Sequence, residues 1–108
     1  MKVAILGLGY VGLNLAIAAS KSNEVIGFDL NEGVVNNLKA NKSHIEGIEP
    51  EQIRDFLGKK DGNFTADPSS LEQAEIIVVC VPTPLDSDKK PDLSYINKAC
   101  EIIKTNVI

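Results

Sequence analysis

The chain opens on an apolar run that glycine interrupts at fixed offsets: residues 3–20 carry no charge, and Gly7, Gly9 and Gly12 fall inside them. An unbroken helix through this run is disfavoured, because each interior glycine costs a helix about 1 kcal/mol. Lys2 and the apolar stretch mimic a signal peptide or membrane span, and the same glycines argue against both. The run divides instead into a strand over 2–6, a glycine turn, and a helix from about residue 11 to 20. Val3, Ala4, Ile5 and Leu6 form an uninterrupted apolar segment, which predicts a strand covered on both faces, as in a parallel sheet. The helix is apolar nearly all round, which predicts packing from several sides.

The remaining chain alternates in the same way. A strand over 24–28 ends at Asp29, and Asn31 caps a helix that buries Val34, Val35 and Leu38. A polar loop over 43–49 carries the single histidine, His44, read as a solvated residue. Pro50 suits the first position of a helix carrying Ile53, Phe56 and Leu57, with Gly58 as its stop. A polar turn over 59–62 leads to a short strand over 63–66. Asp67 and Pro68 open a short helix reaching Gln73, and a strong strand covers 76–81. After a loop over 82–91, Asp92 caps a last helix with Leu93, Ile96, Cys100, Ile103 and Val107 on one face. Strands alternating with helices predict an α/β fold: a Rossmann-type parallel sheet with helices on both faces, truncated to about four strands. At 108 residues it is read as a single domain over 1–108.

Composition removes other classes. Eleven basic against 15 acidic residues give a net charge of −4, so no basic surplus drives binding to nucleic acid or to anionic membranes. Two cysteines are too few for a disulfide scaffold and fit a reducing cytoplasm. Cys80 in a strand and Cys100 on a buried helical face are read as small hydrophobes. No grouping of side chains suits a metal.

Three segments carry chemistry. In Gly7-Leu8-Gly9-Tyr10-Val11-Gly12 the first glycine permits a tight turn, the second lets a diphosphate approach bare backbone, and the third lets helix and strand pack closely. Free N–H groups at the helix start favour the anion. Asp29 closes the second strand about 20 positions on, where a carboxylate accepts from ribose hydroxyls and repels a 2′-phosphate. No Arg stands at Leu30 or Asn31 to hold such a phosphate, so the expected cofactor is NAD, not NADP. Pro82 and Thr83 follow the fourth strand, where ligands of open α/β sheets sit, and Thr83 offers a hydroxyl near the nicotinamide. Tyr10 either covers a ligand or packs.

Taken together, MKVAILGLGYVGL, GFDLNE, SHIEGI and VCVPTPLDSDKKPDLSYI resemble the N-terminal region of the nucleotide-sugar 6-dehydrogenases, over essentially the whole chain. SHIEGI and KKPDLSYI are closer to the UDP-N-acetylglucosamine or N-acetylmannosamine branch than to the UDP-glucose branch. The resemblance implies NAD-dependent oxidation of the C6 alcohol of a UDP-sugar to the carboxylate, through a thiohemiacetal on a cysteine. It places Gly7, Gly9, Tyr10, Val11 and Gly12 at the diphosphate, Asp29 at the ribose and Thr83 near the reaction centre. Asn14 departs from the family, where many members carry Pro. Members of this family are several times longer, and their catalytic cysteine lies beyond the segment matched here; neither Cys80 nor Cys100 corresponds to it. The chain is therefore expected to be a fragment that binds NAD without turning over sugar, with no catalytic residue of its own. Its 76–81 strand edge, or the helix over 93–107, is expected to mediate self-association. Two other readings remain: a dehydrogenase of the 6-phosphogluconate or 3-hydroxyacid type, and a non-catalytic NAD-sensing module.

Overall fold

Four short apolar segments pair side by side, all parallel, in the order β3-β2-β1-β4. The computed structural model describes residues 1–59 and 62–107. Along the chain the elements are β1 (Lys2–Leu6), α1 (Tyr10–Ala19), β2 (Glu24–Phe28), α2 (Glu32–Lys39), α3 (Pro50–Leu57), β3 (Asn63–Thr65), a 3₁₀ turn (Pro68–Gln73), β4 (Ile76–Val79) and α4 (Ser94–Asn106). Lys60 and Asp61, in the middle of the polar turn expected over 59–62, lie outside the described residues. Parallel pairing needs crossover connections, and helices supply them.

β1 is central, and its alternate residues feed two separate cores. Val3 and Ile5 join Leu13 and Ala16 of α1, Val35 and Leu38 of α2, and Ile53 and Phe56 of α3. Ala4 and Leu6 join Phe28, Leu71 of the 3₁₀ turn and Ala99 of α4. The strand is thus covered on both faces, as its unbroken apolar run requires. Phe56 and Phe64 stack with ring centroids 4.5 Å apart, tying α3 to β3. Such a pair adds about 0.5–1.5 kcal/mol beyond its buried area.

Local signals set the helix starts. Asn31 Oδ1 accepts from the Val34 N–H at 3.2 Å and begins α2. Pro50 occupies the first turn of α3, and the Glu49 N–H donates to Gln52 Oε1 at 2.8 Å. Asp67 accepts from the Ser69 N–H at 3.0 Å. Both hydrogen bonds from Ser69, backbone first and then hydroxyl, hold the Asp67 carboxyl below the ordinary aspartate value.

Four expectations need correction. The first helix runs Tyr10–Ala19, and it buries only Gly12, Leu13 and Ala16, leaving Val11 65% and Leu15 37% exposed. A helix lying on one sheet face covers a single stripe, however apolar its other sides. β4 ends at Val79 because β1, its partner, ends at Leu6; one further bond, Cys80 N–H to the Leu6 carbonyl at 2.7 Å, extends the ladder. Cys80 therefore sits past the strand end and not within it. On α4 the buried residue is Ala99, with Ile102, Ile103 and Val107 against the same core, whereas Cys100 and Leu93 are exposed. Each helical step turns about 100°, so centring the face on Ala99 carries Cys100 outward. Finally, α4 starts at Ser94 with Leu93 at the cap position; Asp92, one residue earlier, accepts from the Ser94 N–H at 2.9 Å.

Candidate functional site

At the carboxyl ends of β1, β2 and β4 the chain opens into a crevice of about 840 Å³, within the usual range for small-ligand sites. Gly7, Leu8, Gly9, Tyr10 and Val11 form one wall, Asp29 to Asn31 a second, and Val81, Pro82 and Thr83 with the Tyr95–Ile102 side of α4 a third. β1 and β4 bracket the point where the chain order reverses, the position at which open α/β sheets bind ligands.

The glycine turn is built as its sequence demands. Gly7 takes φ +99°, and its N–H donates to the Phe28 carbonyl at 2.8 Å. A Cβ at Gly7 would lie 2.6 Å from the Cys80 carbonyl oxygen, and one at Gly12 would overlap the Gly7 carbonyl. Among the described residues, Gly9's own chain neighbours aside, nothing stands within 4 Å of a Cβ position at Gly9, so the space beside that backbone is open to a ligand. Leu8 points the other way and is fully buried. It anchors the turn to the core.

The start of α1 presents unpaired donors. Its first helical bond runs from the Leu13 N–H to the Gly9 carbonyl at 2.9 Å. Among the described residues nothing accepts from the backbone N–H groups of Gly9, Tyr10, Val11 or Gly12. No side chain caps this helix, and no acidic residue stands in its first turn. α2 and α3 differ, since Asn31 and Gln52 occupy their starts and each carries a glutamate in the first turn. The vacant donors and the positive end of the helix suit an anion. Asn14 leaves this end undisturbed; its amide donates to the Tyr10 carbonyl at 2.7 Å.

Asp29 faces the turn. Its Oδ2 accepts from the Leu8 N–H and its Oδ1 from the Asn31 N–H, both at 2.9 Å. A carboxylate has about four acceptor positions. Those left after the two backbone bonds remain for hydroxyl groups of a ligand. Pro82 and Thr83 are exposed at the crevice mouth, and Tyr10 and Val11 are exposed beside it. Burial pushes the Cys80 thiol up from its ordinary value. Among the described residues no group of three or more His, Cys, Asp or Glu could hold a metal ion.

The eight residues singled out in the sequence thus converge. Seven border the crevice, and Gly12 packs behind the turn with its N–H unpaired. His44 was missed. It is exposed, as expected of a solvated residue, and its Nε2 also lies 2.6 Å from the Leu8 carbonyl at the border of the crevice. A contact spanning 36 positions leaves no local signal; only the polar loop ahead of Pro50 marked the region.

Residues 1–108 match the model of the UDP-glucose/GDP-mannose dehydrogenase family, NAD binding domain. The UDP-N-acetyl-D-glucosamine 6-dehydrogenase of Pseudomonas aeruginosa is 36% identical over 103 residues, covering 95% of this chain and 24% of that protein. The solved UDP-D-ManNAc dehydrogenase of Pyrococcus horikoshii superposes with a TM-score of 0.90 at 30% identity, over 98% of this chain and 26% of its own. A ternary complex of GDP-mannose dehydrogenase from Pseudomonas aeruginosa gives 0.83 at 30% identity, over 95% and 24%. The chain spans about a quarter of the length of these relatives.

Proposed function

Because the chain belongs to the UDP-glucose/GDP-mannose dehydrogenase family and forms its NAD-binding domain, we propose that it serves an enzyme oxidising the C6 alcohol of a UDP-N-acetylhexosamine to the carboxylate. NAD, when bound, supplies the hydride acceptor. This chain's residues hold and orient it. Gly7, Gly9, Tyr10, Val11 and Gly12 cradle the diphosphate, Asp29 takes the adenosine ribose hydroxyls, and Pro82 and Thr83 border the nicotinamide. The reading rests on the N–H groups from Gly9 to Gly12, unpaired among the described residues, standing opposite a carboxylate that already braces the same turn. The N-acetylhexosamine substrate is supported by the similarity to the Pseudomonas aeruginosa and Pyrococcus horikoshii enzymes, whose names carry those sugars.

On this reading the chain binds cofactor and does not turn over sugar. A cysteine nucleophile needs a lowered pKa; the Cys80 thiol is raised by burial, and Cys100 is exposed and not among the residues lining the crevice. Two free cysteines agree with a reducing cytoplasm. Among the described residues no helix is long and apolar enough to cross a membrane.

Calorimetric titration tests the assignment. The protein should bind NAD more tightly than NADP, and Asp29→Asn should weaken NAD by about tenfold, the worth of a charge-assisted hydrogen bond, and narrow that preference. Equal affinity for both cofactors in the unaltered protein, or an unchanged Asp29→Asn variant, would remove Asp29 from the site.

A further inference from the structure

His44 reaches the glycine turn from the loop between α2 and α3. Its Nε2 stands 2.6 Å from the Leu8 carbonyl oxygen. A carbonyl only accepts, so the ring carries a proton on Nε2 and donates. Leu8 in turn donates its own N–H to Asp29 Oδ2 at 2.9 Å. Its backbone is therefore held at both ends by side chains of the crevice wall, while its own side chain is fully buried.

We infer that His44 is a positioning residue for diphosphate binding, acting through the Leu8 carbonyl. The inference rests on the dinucleotide reading of the crevice. Gly12 stands third in α1, where a helix start leaves the N–H without an intrahelical acceptor, so the effect of His44 falls on the Leu8–Gly9 peptide and not on Gly12. His44 donates to the Leu8 carbonyl and so fixes the plane of that peptide. The Leu8–Gly9 peptide is trans, so the Gly9 N–H points opposite to the carbonyl that His44 holds. One side-chain bond thus directs the Gly9 N–H, the first of the donors available to an anion.

The test separates the diphosphate from the nucleoside. ADP-ribose and adenosine are titrated into the unaltered protein and into His44→Ala, His44→Asn and His44→Gln, with thermal melting recorded for each. The Ala and Asn variants should lose about five- to tenfold in affinity for ADP-ribose, the worth of one hydrogen bond, and keep their affinity for adenosine. Gln places an amide donor where Nε2 stands and should restore ADP-ribose binding to within about twofold. The inference is overturned if Ala and Asn bind ADP-ribose as the unaltered protein does, if adenosine is lost equally, or if Gln is no better than Ala. If the unaltered protein fails to bind ADP-ribose at all, the dinucleotide reading falls and takes this inference with it.

Discussion

Replacing the three glycines of the turn one at a time separates the fold from its ligand. Gly7 has φ +99°, and a Cβ there would stand 2.6 Å from the Cys80 carbonyl oxygen. The left-handed backbone alone costs an alanine about 1–2 kcal/mol. The overlap is with backbone at the end of β4, which cannot rotate aside, and adds about 1–3 kcal/mol. Against a total stability of roughly 5–15 kcal/mol, Gly7→Ala should lower Tm by roughly 10–25 °C. Gly12→Ala meets the Gly7 carbonyl and should also destabilise, less the ~1 kcal/mol that alanine gains within a helix. Gly9 is the opposite case. Its φ of −79° and ψ of −159° are extended backbone open to any residue, and among the described residues beyond its chain neighbours nothing lies within 4 Å of its Cβ position. Gly9→Val should therefore change stability by only about 0.5 kcal/mol. It should nevertheless cut NAD affinity by tenfold or more, on the order of 1.4 kcal/mol, because its side chain fills the space the diphosphate needs. Circular-dichroism melts and calorimetry on the same preparations read both effects. The reasoning fails if Gly9→Val melts as low as Gly7→Ala, or if it binds NAD with unaltered affinity.

Other outcomes follow from the same geometry. A thiol reagent at mildly alkaline pH should label Cys100 quickly and Cys80 slowly, since burial holds the Cys80 thiol protonated to higher pH; NAD should slow Cys80 further because that residue borders the crevice. Equal rates, or no effect of NAD, would contradict this placement. β4 is one of the two outer strands of the sheet, with Ile76 43% and Val79 41% exposed. Unpaired apolar edges recruit further strands, so sedimentation should show concentration-dependent self-association that Ile76→Lys abolishes. Association unaffected by that lysine would point to α4 instead, and a monomer at all concentrations would contradict both routes.

What could be read from the sequence was what local physics dictates. β1 was legible because only a strand covered on both faces uses Val3 to Leu6 without a polar break. The glycine turn was legible because Gly7 and Gly12 have no room for a Cβ, and the α2 start because Asn31 is a strong cap. A parallel sheet followed from the alternation of strands and helices, and the convergence of Asp29 with Thr83 from the rule that ligands gather at the strands' carboxyl ends. Non-local packing was not legible. The α4 face centres on Ala99, a small residue that lets the helix approach the sheet, whereas periodicity gives weight to bulky Ile and Leu and so drew in Cys100. α1 reads as apolar on every side, yet it fully buries only Gly12, Leu13 and Ala16, with Ile17 and Ala19 partly covered beside them. The end of β4 is set by the length of β1, not by the residues of β4. His44 joins the site through a bond to a backbone carbonyl in a distant turn, which no spacing rule encodes.

We propose that an adenine dinucleotide lies across the carboxyl ends of β1 and β2, its diphosphate on the start of α1. Backbone amide shifts recorded while NAD is added to isotopically labelled protein test it most directly. Saturable shifts should centre on Gly9, Tyr10, Val11 and Gly12, with Leu8 and Asn31, the partners of Asp29, moving alongside. A titration that leaves these amides still, or that moves the opposite sheet end around Lys2, Asn63 and Gln73, where a smaller cleft lies, would contradict the account.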